Sequence, residues 1–305
     1  MKKLALLFGA LSLVSSVAYA KEVVPAVEEV VVVEEVAPVA AEPAFRVTSV
    51  GQYVEVDNTS GSSNIGEEVY FGNTVNFAYG DNWTFNLTAH KTWNMDTDNG
   101  VHGKDHRLQL DAWRNYENFS LGLRYRGQET YDRYYLRGKY SYGMFSGWAD
   151  VAYQSNNSAT DHEDNIYSEG MPVAVTVGPV TVGYYYEYDR HMNALPVTKE
   201  LKGGYEGTLS HQARVMFPLY TGEKLSLGAE YRYQFAQDKD YAGAKAEYDE
   251  KTAHIGIINA AYKLTENLTL DGYYRYDFNE YDGQNKEDAH DNYYGEFYAG
   301  WTYSF

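Results

Sequence analysis

The sequence predicts an all-β fold: a transmembrane, antiparallel, up-and-down β-barrel of about fourteen strands. Three observations carry that prediction. From Ala44 onward, runs of residues alternate between an apolar or aromatic register and a smaller, more polar one, the period of a strand with two unlike faces. Tight turns alternate with longer polar connections, the asymmetry between the two rims of an outer-membrane barrel, whose short turns face the periplasm. The polar register is charged almost throughout, which suits a wet interior. A soluble β-sandwich also alternates, but it needs hydrophobic inner faces.

Residues 1–20 read as a signal peptide. Lys2 and Lys3 form a positive n-region, Leu4 to Val17 an apolar stretch, and Ala18-Tyr19-Ala20 a small-x-small cleavage site that starts the mature chain at Lys21. A retained anchor is disfavoured because the apolar run is too short to span a bilayer. Residues 21–43 are low-complexity Val, Glu, Ala and Pro, interrupted by Pro25, Pro38 and Pro43, and read as an extended or disordered periplasmic tether. Residues 44–305 form the barrel.

Within the barrel, Gly, Asn, Asp and Pro clusters mark hairpin turns at 80–82, 116–118, 143–144, 178–179, 219–223 and 265–267. Longer polar connections fall at 57–66, 96–103, 156–164, 190–204, 237–249 and 280–290, and only the one near 127–132 is short. An even strand number leaves both termini periplasmic. In three strands the faces can be assigned residue by residue. Leu268, Leu270, Gly272, Tyr274, Tyr276 and Phe278 face lipid, against Thr269, Asp271, Tyr273, Arg275, Asp277 and Asn279. Leu225, Leu227, Tyr231 and Phe235 oppose Glu230, Arg232 and Gln234, and Phe119, Leu121 and Leu123 oppose Ser120, Arg124 and Arg126. The alternation blurs over 44–57 and 252–264, where a bulge is expected to shift the face.

Composition narrows the function. Low mean hydropathy and the absence of any long apolar run after the leader exclude helical membrane spans, yet permit a barrel, which turns only every second residue to lipid. With no Cys there are neither disulfides nor thiolate metal sites. A net charge of −18 argues against a nucleic-acid partner. The eight His are scattered without zincin spacing, and neither a G-x-S-x-G elbow nor a P-loop is present, so no catalytic residue, metal or cofactor is assigned. Ser210-His211 and Asp161-His162 are the only adjacencies that could serve a hydrolase.

The candidate site is the charged inner register. Arg107, Arg124, Arg126, Arg133, Arg137 and Lys139 fall on three consecutive strands as one basic pore-lining wall. Glu187, Asp189, Glu230, Asp271, Asp277 and Glu296 follow later in the chain as acidic pore-lining candidates. Facing rows of opposite charge would orient polar solutes and set ion preference. The same residues could equally form a salt-bridged filling of a narrow lumen, and both readings stay open.

The last strand ends Trp301-Thr302-Tyr303-Ser304-Phe305, with aromatics every second residue. It resembles the C-terminal assembly signal of bacterial outer-membrane barrels, carried by Trp301, Tyr303 and Phe305. Together with the leader MKKLALLFGALSLVSSVAYA, the Lys21-Glu22-Val23 start, the Val/Pro/Glu tether and the Tyr-rich hairpins, the chain resembles the major outer-membrane porins of fusobacteria. That resemblance implies a passive, water-filled diffusion channel in the outer membrane of a Gram-negative-type bacterium. It implies outer-membrane lipid, the barrel-assembly machinery and small hydrophilic solutes as partners, with a homotrimer admitted beside a monomer. Two other readings remain: a barrel presenting acidic surface loops as an adhesin or receptor, and, last, an outer-membrane hydrolase.

Overall fold

The computed structural model describes residues 45–59, 67–96, 100–157, 164–192, 204–242, 249–283 and 292–305. The signal peptide, the tether and most of the polar connections lie outside them. The described chain belongs to one compact unit, Glu42–Phe305.

Fourteen strands follow one another: β1 (Phe45–Thr59), β2 (Glu68–Tyr79), β3 (Trp83–Asp96), β4 (Gly100–Asn115), β5 (Phe119–Gln128), β6 (Tyr131–Tyr142), β7 (Phe145–Asn156), β8 (Asn165–Val177), β9 (Val180–His191), β10 (Gly204–Thr221), β11 (Leu225–Ala242), β12 (Asp249–Lys263), β13 (Leu268–Gly283) and β14 (Asn292–Ser304). Each pairs antiparallel with its sequence neighbours, and β1 pairs with β14 to close the barrel. Closure removes the open edges that no sheet can expose to hydrocarbon.

The expected tight turns join the strands at one rim. Gly143 and Gly178 take positive φ there, as the mirror-image turns of two-residue hairpins require, and Gly80 does so in the three-residue turn 80–82. Phe45, opposite Tyr79, and Ser304, opposite Ser49, put both ends of the barrel at this same rim. At the other rim the strands run farther than the polar composition suggests. The connection expected at 96–103 shrinks to residues 97–99, with Gly100 at φ +86 starting β4, and β11 and β13 continue to Ala242 and Gly283. The reason is physical: where a hairpin rises above the bilayer, water meets both faces, and polar residues no longer mark the end of pairing.

The faces assigned to β5, β11 and β13 hold. Leu121, Leu123, Tyr231, Tyr233, Phe235, Tyr274 and Tyr276 are exposed on the outside, while Arg124, Arg126, Glu230, Arg232, Arg275 and Asp277 are buried inside. Leu123 and Leu136, at 63% and 64% exposure, sit in the outer band with Leu108, Leu110, Val151, Val182 and Ile258. Tyr134, Tyr142, Tyr153, Tyr184, Tyr276 and Tyr293 are among the exposed aromatics, in keeping with the girdles of a lipid-facing surface. A closed antiparallel barrel, apolar outside and polar inside, is the build of an outer-membrane protein.

One of the two expected bulges is present, between Val47 and Ser49 against β2. The other is not. β12 pairs with β11 and β13 without a register shift. Its alternation blurs because Ala253, Ile255 and Ile257 point inward and pack against Tyr273, an apolar patch where charge was expected. Further irregularities flank Pro172, between Ser146 and Trp148 on one side and between Gly170 and Val173 on the other. Proline cannot donate to the ladder, so its strand is bulged at that point.

Candidate functional site on the inner face

Side chains of β4 to β7 meet on the inner face in three successive rungs. The outermost joins Gln109, Arg126, Arg133 and Gln154, each opposite the next. Below it, toward the tight turns, come Asp111, Arg124, Tyr135 and Ala152, then Trp113, Gly122, Arg137 and Asp150. Arginines recur because period two returns the same face at every second residue of β5 and β6.

The two lower rungs are neutralised. Arg124 Nε donates to Asp111 Oδ1 at 2.7 Å, and Arg137 Nη1 donates to the same oxygen. Arg137 Nε reaches Asp150 Oδ2 at 2.9 Å, and Gln109 Nε2 donates to Asp111 Oδ2 at 2.9 Å. Trp113 lies under this group, 4.6 Å from Arg137 and 4.7 Å from the Lys139 ammonium. Asp111 and Asp150 sit in the inward register of their strands, and that register is the signal by which they could have been found.

The outermost rung is different. Arg126 Nε donates to Gln109 Oε1 at 3.0 Å, and Arg133 Nε to Gln154 Oε1 at 2.6 Å. Arg107 is half-buried just above, with Nη2 3.2 Å from His90 Nδ1. Among the described residues, no ion pair includes Arg107, Arg126 or Arg133. Rings meet the charge of two of them: Tyr135 lies 5.4 Å from Arg126 and 5.8 Å from Arg133, and Tyr167 lies 4.1 Å from Arg133.

The later strands place Glu230, Asp277 and Glu296 on the inner face, buried, with Glu187, Asp189 and Asp271 half-buried. This sector is not purely acidic. Glu230 pairs with Arg232 at 2.5 Å, Asp277 with Arg275 at 2.5 Å, and Glu296 lies 3.7 Å from Arg275. Arg214, which the sequence pattern does not single out, stacks 3.5 Å over Tyr185. Glu169 stands directly opposite Glu187, and the Tyr185 hydroxyl donates to Glu169 at 3.1 Å with Glu187 3.4 Å away. Both sectors are thus partly paired within themselves: among the described residues Arg107, Arg126 and Arg133 join no ion pair on the basic side, and Glu169, Glu187, Asp189 and Asp271 join none on the acidic side.

Among the described residues two groups bring three ligand atoms within 4.8 Å of one another: Glu55, Asp57 and Glu296, and Asp105, His106 and Glu129. The first is already flanked by Arg275. In the second, Asp105 is taken up by Gln128 Nε2 at 2.7 Å and by the Glu129 backbone N–H at 3.2 Å. Ser210 and His211 divide across the wall: Ser210 is buried inside, while His211 Nδ1 is 2.7 Å from the Tyr184 hydroxyl and stacks on Phe235. Consecutive strand residues point to opposite faces, so this adjacency makes no dyad. Asp161-His162 lies outside the described residues.

At the barrel seam, Trp301 and Tyr303 line an outer groove with Val50, Leu268 and Leu270, and Tyr303 meets Phe305 edge-on at 5.3 Å.

No family model matches the chain, and no curated protein does. Solved structures with a similar course are outer-membrane proteins. OmpT of Vibrio cholerae shares 14% identity over 88% of this chain and 100% of its own, at a TM-score of 0.42. OccAB3 of Acinetobacter baumannii shares 10% over 85% and 99%, at 0.47. An anion-selective porin from Comamonas acidovorans shares 12% over 86% and 100%, at 0.43. What this barrel does has to be read from its own side chains.

Proposed function

We propose that the chain is an outer-membrane porin of the kind its fusobacterial resemblance implies, a passive channel for ions and small hydrophilic solutes. One observation carries the reading. Among the described residues, every inner ion pair joins side chains on the same strand, on neighbours, or on strands one apart, from Lys104–Glu68 to Arg275–Glu296. The long charged side chains lie along the wall instead of bridging the bore. A wall whose charges are satisfied sideways needs no partner across the bore, and its inward polar groups can replace part of the hydration of a solute that passes. The chemistry needs neither a metal nor an organic cofactor. Arg107, Arg124, Arg126, Arg133, Arg137 and Lys139 line the bore on one side in this reading, and Glu187, Asp189, Glu230, Asp271, Asp277 and Glu296 on the other.

Planar-bilayer recording of the refolded protein tests it. Stepwise conductance increases in potassium chloride are expected. A protein that inserts, shows the heat-modifiable mobility of a folded barrel and yet gives no steps at any voltage refutes the channel.

A further inference from the structure

Buried cations ordinarily have a carboxylate beside them, because an uncompensated charge in a low-dielectric site is costly. The lower rungs obey this rule and the outermost does not. Arg126 opposes Arg133 directly across β5 and β6. Arg107 stands close enough above Arg126 for the two guanidiniums to repel. None of the three joins an ion pair among the described residues, although Asp111 serves two arginines just below.

Arg126 is 1% exposed, and its Nη1 has no hydrogen-bond partner. Glu55, Glu169 and Glu187 attract Arg107, Arg126 and Arg133 from beyond ion-pair distance, and the acids around the group take their hydrogen bonds from neutral donors. Asp105 accepts from Gln128, Glu187 accepts from Tyr167 at 3.1 Å, and Glu169 accepts from Tyr185 at 3.1 Å. The neutral partners Gln109 and Gln154 turn their carbonyl oxygens to the arginines, which fixes the planes of the guanidinium forks without cancelling their charge.

The rim supplies access. β5 ends at Gln128 and β6 starts at Tyr131, so residues 129 and 130 alone connect them at the rim where the other connections are longer. At a strand rise of about 3.3 Å per residue, Arg126 and Arg133 lie roughly 7–10 Å below this low point.

From these observations we infer that Arg107, Arg126 and Arg133 form a saturable binding site for the oxyanion group, carboxylate or phosphate, of a small anionic solute. The inference rests on the channel reading and gives it a solute class. Fixed guanidinium forks match a planar or tetrahedral oxyanion better than a halide, and the Tyr131 and Tyr167 rings, 4.9 and 4.1 Å from Arg133, hold one fork in place. Arg124 and Arg137 stay outside the site because Asp111 and Asp150 occupy them.

The test uses citrate as probe and ribose as uncharged control, with full-length protein refolded in detergent for calorimetry and in bilayers for current. Citrate should bind and reduce the potassium chloride current saturably, while ribose does neither. Arg126→Gln and Arg133→Gln should each weaken citrate by about tenfold or more, the loss of one charged fork. Lys224→Gln, which removes the same charge from the exposed turn at the opposite rim, should leave it unchanged. Equal shifts in Arg126→Gln and Lys224→Gln reduce the effect to general charge and overturn the site, as does the absence of citrate binding to the unaltered protein. If the Gln variants do not refold, Arg126→Lys and Arg133→Lys keep the charge and lose the fork; unchanged citrate affinity in both overturns the forked contact. Citrate binding without conductance steps refutes the channel and leaves the site standing, and steps without citrate binding do the reverse.

Discussion

Asp111→Asn is the sharpest test of how the inner wall is held together. The side chains of Asp111, Arg124 and Arg137 are 4%, 1% and 3% exposed, so water screens their attraction little. Asp111 Oδ1 accepts from both arginines, and Oδ2 accepts from Gln109 Nε2. An amide nitrogen placed at either position therefore faces a donor, and the isosteric change removes the charge and breaks a hydrogen bond together. Removing one partner of a buried ion pair costs about 3–5 kcal/mol. Arg137 keeps Asp150 at 2.9 Å, which points to the lower end, about 3 kcal/mol. The assay is reversible urea unfolding of the barrel in lipid vesicles, followed by tryptophan fluorescence and gel mobility. Adding Arg124→Gln to the same chain removes the surplus cation and should recover about 1 kcal/mol or more. A loss below about 0.5 kcal/mol for Asp111→Asn would mean that water, not pairing, neutralises the wall.

Two further outcomes follow from the same geometry. Replacing Arg124, Arg126 and Arg137 by Ser leaves Asp111 and Asp150 without those arginines, so the reversal potential in a salt gradient should move toward cation preference. Removing Glu28, Glu29, Glu34 and Glu35 should barely move it, since exposed charges are screened beyond roughly 8 Å; equal shifts in the two variants would put the basic wall away from the constriction. Leu123→Arg, in the outer band, should destabilise the folded barrel by about 2–4 kcal/mol, measured by the same urea titration, and a neutral result there would contradict the lipid-facing assignment.

The strand count, the tight turns and the faces of β5, β11 and β13 were legible because a two-faced strand writes its period directly into the sequence. Pairing was not. That Asp111 would serve both Arg124 and Arg137 depends on the registers of β4, β5 and β6 against one another, which no single strand encodes. Arg214 escaped notice because β10 shifts register against β11 at three places, and its word Ser210-His211-Gln212-Ala213-Arg214 does not alternate cleanly. In β12 the blurred pattern suggests a bulge, whereas Ile255 and Ile257 simply turn apolar side chains inward. The reach of the strands at the longer rim was illegible for a third reason: above the bilayer, water on both sides removes the contrast on which periodicity depends.

The seam between β1 and β14 sets the order in which this chain can fold. Val50 pairs with Tyr303 and Val56 with Phe297, so the contacts that close the sheet join its two ends and have the greatest sequence separation of any in the barrel. Every other hairpin is local and can form early, but each partial sheet carries a naked edge until β14 meets β1. Loop-closure entropy must be overcome before those pairings return any stability, which makes closure the slow and final event. Until then, inserting a partial sheet strands unpaired N–H and C=O groups in hydrocarbon at several kcal/mol each. Zippering strand by strand into lipid is thereby disfavoured, and insertion and closure become one concerted step.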